Sequence, residues 1–133
     1  MHLHLLAAFD HQLRSRAERL ALISWENERL RQRSWRELAT LVQAAAAQLE
    51  DRFASSPGLP KRIGYRSDNS IDDVVLTLAA ARVGALLVPI SRWAAPADQH
   101  ACWERVGGHW IHDEFVARLP AAKLDHDALD HDT

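Results

Sequence analysis

Apolar positions recur at helical spacing from the start of the chain: Leu6, Phe9, Leu13, Ala17 and Leu20, with charged and polar residues between them. That pattern predicts an amphipathic first helix over residues 3–19. Residues 21–25 read as a strand, Glu26-Asn27-Glu28 as a polar turn and residues 29–33 as a second strand, so the pair forms a small hairpin. Ser34-Trp35-Arg36-Glu37 is a capping box, in which Ser34 accepts from the Glu37 N–H and Glu37 reaches back. The helix it opens carries Leu38, Leu41, Val42, Ala45, Leu49 and Phe53 on one stripe. Its four-alanine run, residues 44–47, favours helix and permits close packing against a neighbour. Ser55-Ser56-Pro57-Gly58-Leu59-Pro60 is a breaker segment that ends it.

The next stretch alternates strand and helix. Residues 62–66 form a short strand, Ser67-Asp68-Asn69 a polar turn, and Ser70 with Asp73 a second cap. The helix over residues 71–83 is apolar on most sides, so it is expected to be buried, with Gly84 ending it in a left-handed conformation. Residues 85–90 are a continuous apolar run, as expected of a strand covered on both faces of a parallel sheet. Pro89 is expected at its end, since proline cannot donate to a central ladder. A more polar helix at 97–106, the pair Gly107-Gly108 and a third strand at 109–112 follow, with a short helix at 115–119 broken by Pro120. The order is α-β-β-α, then β-α-β-α-β: an α/β fold with a parallel βαβαβ, Rossmann-like half and an N-terminal helix and β-hairpin packed on it. Residues 1–119 make one domain, and residues 120–133 an acidic, flexible tail.

Composition adds limits. A chain of 133 residues, 47% hydrophobic and 26% charged, fits one ordinary globular domain and argues against disorder or coiled coil. No apolar run approaches the roughly 20 residues that span a bilayer. The N-terminus is apolar but lacks a basic segment, so it reads as the start of a helix and not as a signal peptide. The net charge is −2 and four Asp lie beyond Leu124, which leaves a surplus of only +2 on the body, too little to suggest nucleic-acid binding. Arg29, Arg31 and Arg33 alternate, and on a strand they share one face, expected to be solvated. Cys102 is the only cysteine, so no internal disulfide forms and a reducing, cytoplasmic setting is expected.

Candidate chemistry is thin. His109 and His112 point to opposite faces of a strand and cannot share an ion; His126 and His131, among the tail carboxylates, could hold Zn²⁺ or Ni²⁺ only weakly. Cys102 and His100 do not face each other on a helix. Ser67-Asp68-Asn69 and Ser91-Arg92 lie just past strand C-termini, where α/β sheets bind ligands, although simple capping and turn chemistry is the favoured reading. Trp25, Trp35, Trp93, Trp103 and Trp110 are expected mostly in the core or at interfaces.

The order of these pieces resembles a known family. Ala21-Leu22-Ile23, Ser34-Trp35-Arg36-Glu37-Leu38 and the alanine-rich helix resemble the opening of adenylate-forming enzymes: acyl-CoA synthetases, nonribosomal-peptide adenylation domains and luciferases. Arg62-Ile63-Gly64-Tyr65-Arg66-Ser67-Asp68-Asn69-Ser70, Leu78-Ala79 and Gly84-Ala85-Leu86-Leu87-Val88-Pro89-Ile90 look like the family's next two blocks, at matching spacing. The likeness runs from about residue 5 to residue 114, up to His112-Asp113; the family's usual "G-d-x-V" turn is replaced by Pro57-Gly58-Leu59-Pro60-Lys61.

The resemblance implies carboxylate activation with ATP to an acyl-adenylate, followed by transfer to a thiol. Such enzymes cradle phosphate in a Gly/Ser/Thr-rich loop ending in Lys and hold Mg²⁺ through an acidic residue. No such loop occurs here, and Lys61 and Lys123 are the only lysines. In the family those motifs follow the region this chain resembles. No catalytic, cofactor-binding or metal residue is therefore assigned, and no cofactor is expected for this chain alone; the complete family enzyme uses ATP, Mg²⁺ and coenzyme A or a carrier pantetheine. The expected partners are the remainder of a ligase or a second copy, with no nucleic acid and no membrane. A small α/β enzyme built on the strand-end residues is a third, minor reading.

Overall fold

A computed structural model describes residues 2–111. The order is α1 His2–Arg16, β1 Leu20–Glu26, β2 Arg29–Ser34, α2 Trp35–Ser55, β3 Arg62–Ser67, α3 Ile71–Val83, β4 Leu86–Ser91, α4 Pro96–Val106 and β5 His109–Ile111. This is the expected sequence of elements. The third strand's expected last residue, His112, the helix at 115–119 and the acidic tail with its histidines lie outside the described residues.

β1 and β2 pair antiparallel, with Glu26 opposite Arg29. The two residues between them, Asn27 and Glu28, both have positive φ, 51° and 62°. That is the twist a two-residue hairpin needs, and asparagine accepts it more readily than glutamate. β3, β4 and β5 form a parallel sheet in the order β4-β3-β5.

α2 starts on a complete capping box: the Glu37 N–H donates to Ser34 Oγ at 3.1 Å and the Ser34 N–H to Glu37 Oε1 at 2.9 Å. Its stripe of Leu38, Leu41, Val42, Ala45 and Leu49 is fully enclosed. α3 is buried on most sides and ends at Gly84 with φ 71°, as its sequence implies. These two helices cover one face of the sheet, against Ile63, Tyr65 and Ile111. α4 lies on the other face and buries no residue of its own. It approaches β3 where Gly64 has no side chain, and Trp103 fills that space beside Trp110, ring centres 5.2 Å apart.

Two expectations about β4 need correction. Among the described residues it is an edge strand, and its faces are only partly covered: Leu86 is 55% exposed, and Leu87 and Val88 are only partly buried. Pro89 is not at the strand's end but inside it, paired with Tyr65. The Leu86 N–H donates inward to the Lys61 carbonyl at 2.9 Å. Alternation then turns the backbone of Leu87, Pro89 and Ser91 away from β3. The missing N–H of proline falls on the open side, where it costs no ladder bond.

Candidate functional site

Ligands of α/β sheets bind beyond the strand C-termini. Here that place is built from the end of β3, Ser67-Asp68-Asn69, the first turn of α3 and the end of β4, Ser91-Arg92. Asp73 is its centre. Its Oδ2 accepts from the Ser67 hydroxyl at 2.7 Å, the Asn69 N–H at 2.8 Å and the Asp68 N–H at 3.2 Å. Asn69 adopts φ 59° to aim its N–H inward. Burial raises the Asp73 pKa above the ordinary carboxylate value, opposed first by the Ser67 hydrogen bond and then by the Asn69 N–H. Tyr65, beneath, is raised by burial and then by the charge of Asp73.

The second strand end closes on the first. Arg92 lies 3.5 Å from the Asp68 carboxylate, and Ser91 Oγ accepts from the Trp93 N–H at 3.2 Å. From the other side the hairpin reaches over: Glu26 Oε2 accepts from the Ile71 N–H at 3.2 Å, and Arg31 holds Glu26 at 2.8 Å and Asp72 at 3.7 Å. Two of the N–H groups that open α3 are thus taken, that of Ile71 by Glu26 and that of Asp73 by Ser70 Oγ at 3.4 Å. These polar groups converge on one another and on no nucleophile–base pair. Chemically the arrangement fixes the β3–α3 turn and ties the hairpin to it, which favours the capping reading.

The arginine stripe behaves differently from the expectation of a solvated face. Arg29 is exposed, but Arg31 is mostly covered and Arg33 is fully buried, its Nη1 donating to the Gln32 carbonyl at 2.6 Å. Arg31 faces the start of α3, where Asp72 supplies opposite charge; period-2 alternation identified the shared face but not what covers it. The Glu26–Arg31–Ile71 link was invisible in the sequence, since its members lie up to 45 residues apart.

The remaining candidates scatter. Cys102 is exposed, and His100 on the same helix pairs with Glu104 at 2.9 Å. His109 is buried against Phe53, ring centres 4.9 Å apart. Among the described residues no group of His, Cys, Asp and Glu could hold a metal ion. Lys61 sits 5.8 Å from the Phe53 ring centre, remote from the strand ends. Trp35 meets Phe9 edge-on and Trp103 meets Trp110, but Trp25 and Trp93 are 71% and 90% exposed and so lie outside the core of this chain. Among the described residues, no helix is long and apolar enough to cross a membrane.

The fold has clear counterparts among solved structures. The chain is similar to NpsA-ThdA, an artificially fused adenylation–PCP di-domain from Klebsiella oxytoca, at 19% identity over 86% of this chain and 24% of that one, with a TM-score of 0.66. It is similar to the luciferase-like enzyme of the nonluminescent mealworm Zophobas morio, at 16% identity over 92% of this chain and 27% of that one, TM-score 0.60. It is also similar to ATP-bound MatB from Rhodopseudomonas palustris, at 19% identity over 80% of this chain and 24% of that one, TM-score 0.56. The fold is therefore that of the N-terminal region of adenylate-forming enzymes, and the chain spans about a quarter to a third of such chains. No protein-family model and no curated protein matches the sequence.

Proposed function

We propose that this chain is the front part of an adenylate-forming, AMP-dependent ligase, supplying sheet and helices to a catalytic domain without activating a carboxylate by itself. The observation that carries this reading is the match in fold across 80–92% of this chain to only 24–27% of ligase and luciferase-like chains. The sequence supports it, because the family's phosphate loop has no counterpart here, and because the strand-end polar groups are spent on one another. The complete enzyme would use ATP, Mg²⁺ and coenzyme A or a carrier pantetheine, in the cytoplasm. ATP–pyrophosphate exchange with a panel of carboxylic acids tests it: the chain alone should give only background, and robust exchange would refute the inactive assignment.

A second reading is a non-catalytic module that binds a separately encoded ligase remainder or a second copy of itself. It is favoured by the exposed apolar side chains of Leu20, Ile23 and Trp25 on the hairpin and of Leu86 and Trp93 near β4. Light scattering separates the two: concentration-dependent self-association supports the module, and a monomer that stays monomeric with candidate remainders counts against it.

A further inference from the structure

Between α1, the hairpin and α3 lies a cavity of about 360 Å³. Its walls include Phe9 of α1, Leu22 of β1, Trp35 and Leu38 of α2, and Val74 and Leu78 of α3. Interiors are usually close-packed, with few voids larger than a water molecule. The gap exists because α1 is a poor wall. Phe9 is the one buried side chain among those described on this helix, and Leu5 at the mouth stays 42% exposed. The helix is held by Phe9 against Trp35, ring centres 6.0 Å apart, and by Asp10 with Arg82 at 3.0 Å.

We propose that this cavity binds a compact, uncharged aromatic molecule the size of a fused two-ring arene. Size sets the first limit: a volume of about 360 Å³ lies at the small end of the roughly 300–1,000 Å³ range of ligand pockets, which suits a compact two-ring molecule. Charge sets the second. Among the described residues that line the cavity Asp73 is the only ionisable one, and none is Lys, Arg or His. A carboxylate entering here would be desolvated beside a like charge with no cation to meet it. Two of the N–H groups at the start of α3, those of Ile71 and Asp73, are already bonded, to Glu26 and Ser70. One polar feature favours a hydroxyl on the ligand: Thr77 donates its proton to the Asp73 carbonyl at 2.8 Å, leaving its oxygen free to accept. The site is thus the wrong chemistry for the acid of a ligase reaction, and the proposal stands independently of that function.

Calorimetry and methyl and indole NMR on the full chain test it, with 1-naphthol as probe and 1-naphthoate as its charged counterpart. The expected result is saturable one-to-one binding of 1-naphthol that shifts Trp35 and Leu78 resonances, with 1-naphthoate at least tenfold weaker. Ala8→Trp and Thr77→Trp, both at exposed lining positions and so compatible with folding, should each weaken binding at least tenfold without lowering the melting temperature. Trp93→Ala, at a residue that does not line the cavity, should leave binding unchanged. Non-saturable binding, equal affinity for 1-naphthoate, or unaltered binding by both filled variants would overturn the proposal. So would a concentration-dependent dimer whose formation alone shifts Trp35 and Leu78, since a second copy would then fill the gap.

Discussion

Replacing Gly64 with alanine measures how β3 and α4 are fitted together. A Cβ at this position would sit 2.6 Å from Cε3 and Cζ3 of Trp103 and 3.3 Å from Cε3 of Trp110. Carbon atoms in good contact stand about 3.5–4.0 Å apart, so the Trp103 ring must retreat by about 1 Å. Overpacking of this kind costs about 1–3 kcal/mol in a well-packed core. Two effects reduce it here. α4 buries no residue of its own, so it can shift with its tryptophan. Alanine also restricts the unfolded chain, which returns about 0.4–1 kcal/mol. The expected net loss is about 1 kcal/mol, or about 3–5 °C in melting temperature. Urea denaturation followed by near-ultraviolet circular dichroism gives both the free energy and the aromatic signal of the Trp103–Trp110 pair. Gly64→Ala should lower both. In a Trp103→Ala background the same change should cost less than about 0.5 kcal/mol, because the clash has gone. An unchanged midpoint and spectrum in Gly64→Ala, or an equal cost in both backgrounds, would refute the account.

Two other outcomes follow from local geometry. Glu28→Gly relieves a positive φ of 62° on a non-glycine residue in the hairpin turn, and should raise stability by about 0.5 kcal/mol after the entropy of the new glycine is subtracted, read as a higher urea midpoint. His109 is buried, and burial followed by the nearby Arg52 charge lowers its pKa below the ordinary 6.5. Its neutral form is therefore the folded one. Above pH 6.5 the stability it allows is fully present. As pH falls from there toward the lowered folded value, the unfolded chain takes up a proton that folded His109 refuses, and stability drops. His109→Phe should flatten that slope between pH 7 and 5 relative to the parent chain, and an identical slope would exclude His109 as its source.

The elements were legible in the sequence because their signals are local. The Ser34–Glu37 capping box, the stripe from Leu38 to Phe53 and the glycine after Val83 each act within one or two helical turns. Sheet order was less accessible. Residues 85–90 are continuously apolar whether the strand is central or at an edge, so exposure of Leu86 could not be inferred from the run itself. Pro89 was misplaced for a related reason: the rule against proline in a ladder is a rule about one side of a strand, and the sequence does not say which side is open. At the strand ends, the residue types of Ser67, Asp68 and Asn69 pointed first to a turn and only second to a ligand site. Only the three bonds converging on Asp73 separated these, and they depend on a carboxylate in the following helix. Arg31 was assigned to solvent because the alternation carries no record of Asp72, about forty positions later, beside it.

Pro89 bears on how this chain survives with a sheet margin uncovered among its described residues. A strand arriving alongside β4 would find carbonyls at Leu87, Pro89 and Ser91 but amide donors only at Leu87 and Ser91. The central rung of the ladder is missing. Stray extended segments thus gain too little to stay, whereas a partner held by its own fold can span the gap and bond on either side. The proline acts as a filter on who may extend the sheet: it discourages random self-pairing during synthesis while leaving room for a neighbour that arrives already shaped.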